Sequence, residues 1–151
     1  MYKISKLLIV LVSISLISWV AVKPSEDVLA IRKVIENSYF KGAYNELDTK
    51  TMSEGFHKDF AIFYAEKGDT LGKYPINDWI KGIEKRKADP KFDATKKTWK
   101  GKILFVDVTG GSAIAKVEMR KNDKLVYTDY LSLLKFEKIW KIVGKVYTEK
   151  E

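Results

Sequence analysis

The chain has 151 residues, 46% of them hydrophobic and 13% aromatic, which is the size of one domain and too apolar for a disordered tail. Its 28 lysines and arginines exceed its 20 acids by eight charges. With no cysteine and one histidine, the composition excludes disulfides, thiolate catalysis, cysteine-ligated zinc, a lipid anchor on cysteine and a two-histidine metal motif.

Met1 to Val22 opens with Lys3 and Lys6 and then carries 16 residues without charge, Leu7 to Val22. A comfortable bilayer crossing takes about 20, so the run fits the hydrophobic region of an export signal. The small-x-small pattern of a cleavage site is poor, with Trp19 two positions before Ala21 and Leu16 two before Ser18. An uncleaved N-terminal membrane anchor through residues 7–22 is the alternative. In both cases the expected location is secreted, periplasmic or at the envelope, and the folded domain is 23–151.

Pro24 and Ser25 punctuate the exit from this region. Glu26 and Asp27 then place negative charge in a first helical turn, where the helix dipole favours it. Val28, Ile31, Ile35 and Tyr39 recur at three- and four-residue steps, which predicts a helix to about Tyr44, with Phe40, Ala43 and Tyr44 widening its apolar stripe. Asp48 is placed to cap a short second helix ended by Gly55. Phe60 to Ala65 reads as a strand, turned back by Lys67-Gly68-Asp69 into Leu71 to Tyr74. Pro75 opens a third helix with Ile76, Trp79, Ile80 and Ile83 on one face.

After Asp89-Pro90 and a lysine-rich connection the period changes to two. Strands are expected at Trp99 to Val108, Ser112 to Arg120, Leu125 to Phe136 and Ile139 to Tyr147, joined by short turns. Ala113, Ala115, Val117 and Met119 form one apolar row, and Leu125, Tyr127, Leu131 and Leu133 another. Trp140, Ile142 and Val146 continue the pattern, with Lys141 and Lys145 expected on the solvent side. Helices first and strands afterwards predict an α+β fold, three N-terminal helices covering one face of a curved antiparallel sheet.

The charge excess is local. Residues 81–102 hold nine lysines and arginines against Glu84, Asp89 and Asp93, an excess of six, and the rest of the mature domain is balanced. Such a stretch is either a solvated helix end and strand face or a surface for an acidic partner.

The element order, together with Val34-Ile-Glu-Asn, Gly42-Ala-Tyr-Asn, Gly55-Phe-His, Asp107-Val-Thr-Gly, Ala113-Ile-Ala-Lys-Val-Glu, Asp129-Tyr-Leu-Ser-Leu-Leu-Lys and Trp140-Lys-Ile-Val, resembles the nuclear transport factor 2-like superfamily, in its "putative lumazine-binding" branch. The similarity runs from about Asp27 to Tyr147. It implies a cone-shaped sheet with a hollow under the helices, and a homodimer. It implies no single reaction, since the superfamily holds ketosteroid isomerases and dehydratases as well as transport and immunity proteins.

Asp129 alternates with Tyr127, Leu131 and Leu133, which puts a carboxylate on the interior row. There it is either a general base or a structural acid paired with a lysine or with His57. His57, at the junction of the second helix and the first strand, is a pocket donor or acid–base group, or a residue that fixes the connection. Tyr39, Tyr64 and Trp79 are expected at the mouth of the cone, holding an apolar or aromatic ligand, or filling the core. Gly110-Gly111 lacks the strand-to-helix context of a phosphate loop, and no nucleophile elbow is present.

Three functions follow. The first is an exported domain that binds a small organic molecule without converting it, with no cofactor, metal or nucleic acid. The second is an isomerase or dehydratase with Asp129 as base and His57 or Tyr64 polarising a carbonyl. The third is a protein-interaction module using the basic 81–102 face.

Overall fold

The structure, a computed structural model, describes residues 24–96 and 98–150; the expected export signal or anchor at 1–22 lies outside them. Helix α1 (Glu26–Val34) is capped by Ser25, whose hydroxyl accepts from the Val28 N–H at 3.3 Å. It runs on without a break into a π-helical segment, Ile35–Asn45. This widening was not expected from the sequence. A π-turn brings residues five apart onto one line, so Tyr39 and Tyr44 stand with their hydroxyls 3.4 Å apart.

Asp48 caps α2 (Thr49–Gly55), its carboxylate accepting from the N–H groups of Lys50 and Thr51. Strand β1 (Phe56–Ala65) follows at once, four residues earlier than expected, and β2 (Leu71–Pro75) folds back on it. Pro75 sits at the cap of α3 (Ile76–Lys87), which buries Ile76, Trp79 and Ile83. Then come β3 (Trp99–Thr109), β4 (Ser112–Lys121), β5 (Lys124–Phe136) and β6 (Ile139–Glu149). Among the described residues no helix is long and apolar enough to cross a membrane.

The six strands form one sheet in the order β2-β1-β6-β5-β4-β3. Four of its five pairings are antiparallel, as expected, and β1 with β6 is parallel. The exception arises because the last strand of the meander closes beside β1, while α3 carries the chain from the β2 edge to the β3 edge. The helices cover one face, and the core lies between: Ile31, Ile35 and Tyr39 from above meet Ala115, Val117, Met119, Leu131 and Leu133 from below.

One irregularity changes which side chains enter that core. Ser132 pairs with Gly144 but Leu133 pairs with Ile142, so β6 carries Val143 as an extra residue. A bulge of one residue reverses the alternation beyond it. Trp140 and Ile142 are buried as expected, but after the bulge Lys145 is buried and Val146 is 49% exposed. The sequence reading had these two the other way round.

Two contacts seat the helical layer. The Asp27 carboxylate accepts from the Lys135 ammonium at 2.6 Å and the Trp140 indole N–H at 2.8 Å, tying α1 to β5 and β6. Those hydrogen bonds, Lys135 first, hold its carboxyl below the usual carboxylate range. The Phe40 ring lies directly on Gly101 of β3, where a Cβ would run into it. Gly101→Ala should therefore cost about 1–3 kcal/mol, as overpacked sites do. A urea midpoint equal to that of the wild type would show that the ring does not depend on this gap.

Candidate functional site

The bulge at Val143 and the π-turn at Tyr39 converge on one point. Lys145, brought inside by the bulge, and Asp129, inside by the period of β5, are diagonal neighbours on adjacent strands, Lys145 being in register with Leu131 and Asp129 with Tyr147. Lys145 Nζ lies 3.1 Å from Asp129 Oδ1. From the helical side Tyr39 donates its hydroxyl proton to Asp129 Oδ2 at 2.7 Å and accepts from Lys145 Nζ at 2.9 Å. Its only proton being given to Asp129, Tyr39 accepts from Tyr44 at 3.4 Å. Asp129 Oδ1 faces the ammonium and has no aligned hydrogen bond among the described residues. Asp129 is 0% exposed and Lys145 4%.

Rings enclose the lysine charge. Its Nζ lies 4.9 Å from the centroid of Tyr147, 5.4 Å from Tyr39, 5.7 Å from Tyr127 and 5.9 Å from Trp79. Their π faces supply part of the solvation the ammonium has lost. Burial still pushes the Lys145 ammonium below its ordinary pKa, against the opposing pull of Asp129. Burial first, and then the Asp129 charge, push the Tyr39 and Tyr44 phenols up; at Tyr44 the Tyr39 hydroxyl and the Arg86 charge oppose the rise.

Above the lysine lies a hollow of about 330 Å³, open to solvent and lined by Ile62, Tyr64, Tyr74, Tyr127, Lys145 and Tyr147. Tyr64 reaches it because its partner across the hairpin is Gly72: the ring lies over that glycine, where a Cβ would collide with it. The volume is at the small end of ligand pockets. The walls are aromatic, with phenolic hydroxyls at their tips, and the one cation among the described lining residues, Lys145, is at the floor.

The five residues singled out from the sequence fall in three places. Tyr64, 37% exposed, lines the hollow. Tyr39 and Asp129 lie beneath it, wholly buried. Trp79 is wedged among Tyr39, Phe56 and Phe60 at ring distances of 6.1, 5.5 and 5.9 Å, so it and Tyr39 fill the interior and do not reach the mouth. His57 is elsewhere: it stacks on Phe136 at 4.8 Å, and its Nδ1 accepts from the Asp59 N–H at 3.2 Å. Six strand residues, a span of about 20 Å, separate it from Tyr64.

Lys145, Tyr74, Tyr127 and Tyr147 were missed. Gly144 was the available signal for Lys145, since a glycine inside a strand pattern suggests a bulge. No group of three or more metal-ligating side chains occurs among the described residues.

The model of the family described as "Putative lumazine-binding" matches residues 26–148. A nuclear transport factor 2-like protein of unknown function from Shewanella baltica OS155 is 26% identical, with 83% of this chain and 94% of its own covered, at a TM-score of 0.66. Another, from Methylobacillus flagellatus KT, is 26% identical over 85% and 96%, at 0.65. The CaMKII hub of S. rosetta, 19% identical over 87% and 100% at 0.50, shares the fold alone. No curated protein matches the chain.

Removing one member of the buried pair should be severe. Lys145→Met leaves a carboxylate in the core without its counter-charge, a change that costs about 3–5 kcal/mol. Adding Asp129→Asn, which keeps an acceptor for Tyr39, should restore most of that loss. Chemical denaturation of the two variants at neutral pH reads both effects, and a Lys145→Met protein of wild-type stability would rule the pairing out.

Proposed function

We propose that this chain, which belongs to the "putative lumazine-binding" family, holds a small, flat, uncharged molecule with a carbonyl oxygen in the hollow above Lys145, and does not convert it. The hollow itself carries the reading: tyrosine rings on its walls and one ammonium at its floor. Two of the ammonium's three protons are directed at Asp129 and Tyr39, which leaves one donor for a ligand acceptor. Because Asp129 already balances the lysine charge, an anionic ligand gains little Coulomb attraction at this point. A neutral carbonyl loses less on leaving water.

What weighs against isomerase or dehydratase chemistry is the placing of the proposed base. A general base must reach the proton it removes, directly or through one water. Asp129 lies behind Tyr39 and Lys145 with no exposed surface, and His57 is at the other end of β1.

Lumazine, a flat dicarbonyl heterocycle, is the natural first probe. Quenching of intrinsic fluorescence should show saturable binding of one molecule per chain. Tyr64→Ala should weaken it about tenfold, the loss of one aromatic wall. Binding unaffected by Tyr64→Ala would place the ligand elsewhere.

We further propose a homodimer through the uncovered face of the sheet. Supporting it is a row of side chains in register across five strands: Phe63 beside Val146, Val146 beside Tyr130, Tyr130 beside Lys116 and Lys116 beside Phe105. Tyr130, Val146 and Phe105 are each more than 40% exposed, and the Lys116 ammonium lies 5.3 Å from the Tyr130 ring. Sedimentation should give a dimer for the wild type and a monomer of unchanged thermal stability for Tyr130→Glu. A wild-type monomer at all concentrations excludes the interface.

A further inference from the structure

On the far side of the stacked Trp99 and Tyr127 rings is a second and larger cavity, about 430 Å³, between the end of α3, the connection to β3 and the end of β4. It shares no lining residue with the hollow above Lys145. We propose that it is a separate binding site for a small organic anion, a phosphate or carboxylate group carried on an aromatic ring.

Among the described residues, the cationic side chains at this cavity are Arg86, Lys91, Lys96 and Lys121, most of them from the stretch that holds the chain's charge excess. Part of this has a structural explanation. Arg86 is in the last turn of α3, where cations offset the helix dipole, and it donates to the Ala43 carbonyl at 3.3 Å. Lys96 is 3.8 Å from Asp93. Lys91 and Lys121 have neither explanation, and among the described residues neither forms an ion pair.

The two acids at the cavity are committed to turns. Asp89 accepts from the Lys91 N–H at 2.8 Å, and Asp93 from the Thr95 N–H and hydroxyl at 2.9 and 2.6 Å. Their oxygens are therefore partly satisfied, while the Lys91 and Lys121 ammonium groups form no ion pair among the described residues. Four cations and two acids leave the cavity positive, and its potential favours an anion.

The apolar side of the cavity is built with equal care. Trp99 is held at its backbone by Asn45, whose side chain accepts from the Trp99 N–H at 3.2 Å and donates to its carbonyl at 3.1 Å. The Tyr44 ring meets the indole edge-on at 4.8 Å, and the Lys121 ammonium lies 5.5 Å from the indole centroid. A fixed aromatic surface beside exposed lysines suits a ring with an anionic substituent. Inorganic phosphate alone would use only half of it.

The test uses the full chain and phenyl phosphate, with phenol and inorganic phosphate as comparisons. The expected result is saturable binding of one phenyl phosphate per chain, a shift of the Trp99 indole resonance, and weakening as salt rises. The exposed double substitution Lys91→Gln with Lys121→Gln should weaken binding at least tenfold while leaving thermal stability unchanged. Tyr64→Ala should have no effect on it, just as the lysine substitutions should leave lumazine binding unchanged, so the two sites stand or fall separately. Absence of saturable binding, affinity undiminished in the double variant, or equal affinity for inorganic phosphate or for phenol would overturn the proposal.

Discussion

The pairing of Asp129 with Lys145 governs the interior. Two charges removed from water in a domain of this size are costly unless each is satisfied where it lies. Here the satisfaction is mutual and geometric: the carboxylate faces the ammonium at 3.1 Å and takes the Tyr39 proton, and the ammonium lies among four aromatic rings. An apolar pair of similar volume would give as stable a core or a more stable one. What it would lack is a donor at the floor of the hollow, and the polar link by which the helix, through Tyr39, is positioned over β5 and β6.

Neither side of that link comes from regular secondary structure. In an unbroken β6, Val146 would face the core and Lys145 the solvent. In an ordinary α-helix, at 3.6 residues per turn, Tyr39 and Tyr44 would point about 140° apart around the axis. The extra residue at Val143 and the π-turn correct both phases. Further register shifts occur between Met119 and Arg120, between Ile103 and Phe105, and between Phe56 and Ala61. Bulges bend and twist the strands that carry them, so the irregularities that curve the sheet also decide which polar groups it encloses.

This explains what could be read in the sequence. Caps and turns depend on single residues with local chemistry, and Asp48, Gly55 and Pro75 were legible for that reason. The apolar rows of β4 and of β5 from Tyr127 to Leu133 were legible because their inner positions keep the same parity, and Asp129 was found on its row; Leu125, expected on that row, leaves it, because the register shift at Val126 pairs it with Arg120. Lys145 was not, because a period-two reading assumes unbroken pairing, and Val143 is an ordinary strand residue with nothing to mark it as extra. The glycine after it was the only trace. Trp79 and Tyr39 were placed at the mouth because the helix positions were right but the depth of the interior was not: rings packed 5.5 to 6.1 Å apart close the centre of the cone.

That closure has a consequence for how the fold meets small molecules. A cone with an empty centre would offer one deep pocket, whereas this one is partitioned. Trp99, at the edge of the basic cavity, stacks at 6.0 Å on Tyr127, a wall of the hollow above Lys145. Tyr44, also at the basic cavity, reaches the buried pair through the hydroxyl of Tyr39. The cavities are therefore separated by one aromatic layer and joined by one chain of hydroxyls. Packed interiors keep few voids and little slack, so the stacked Trp99 and Tyr127 rings are what divides the space under the helices into two separate volumes.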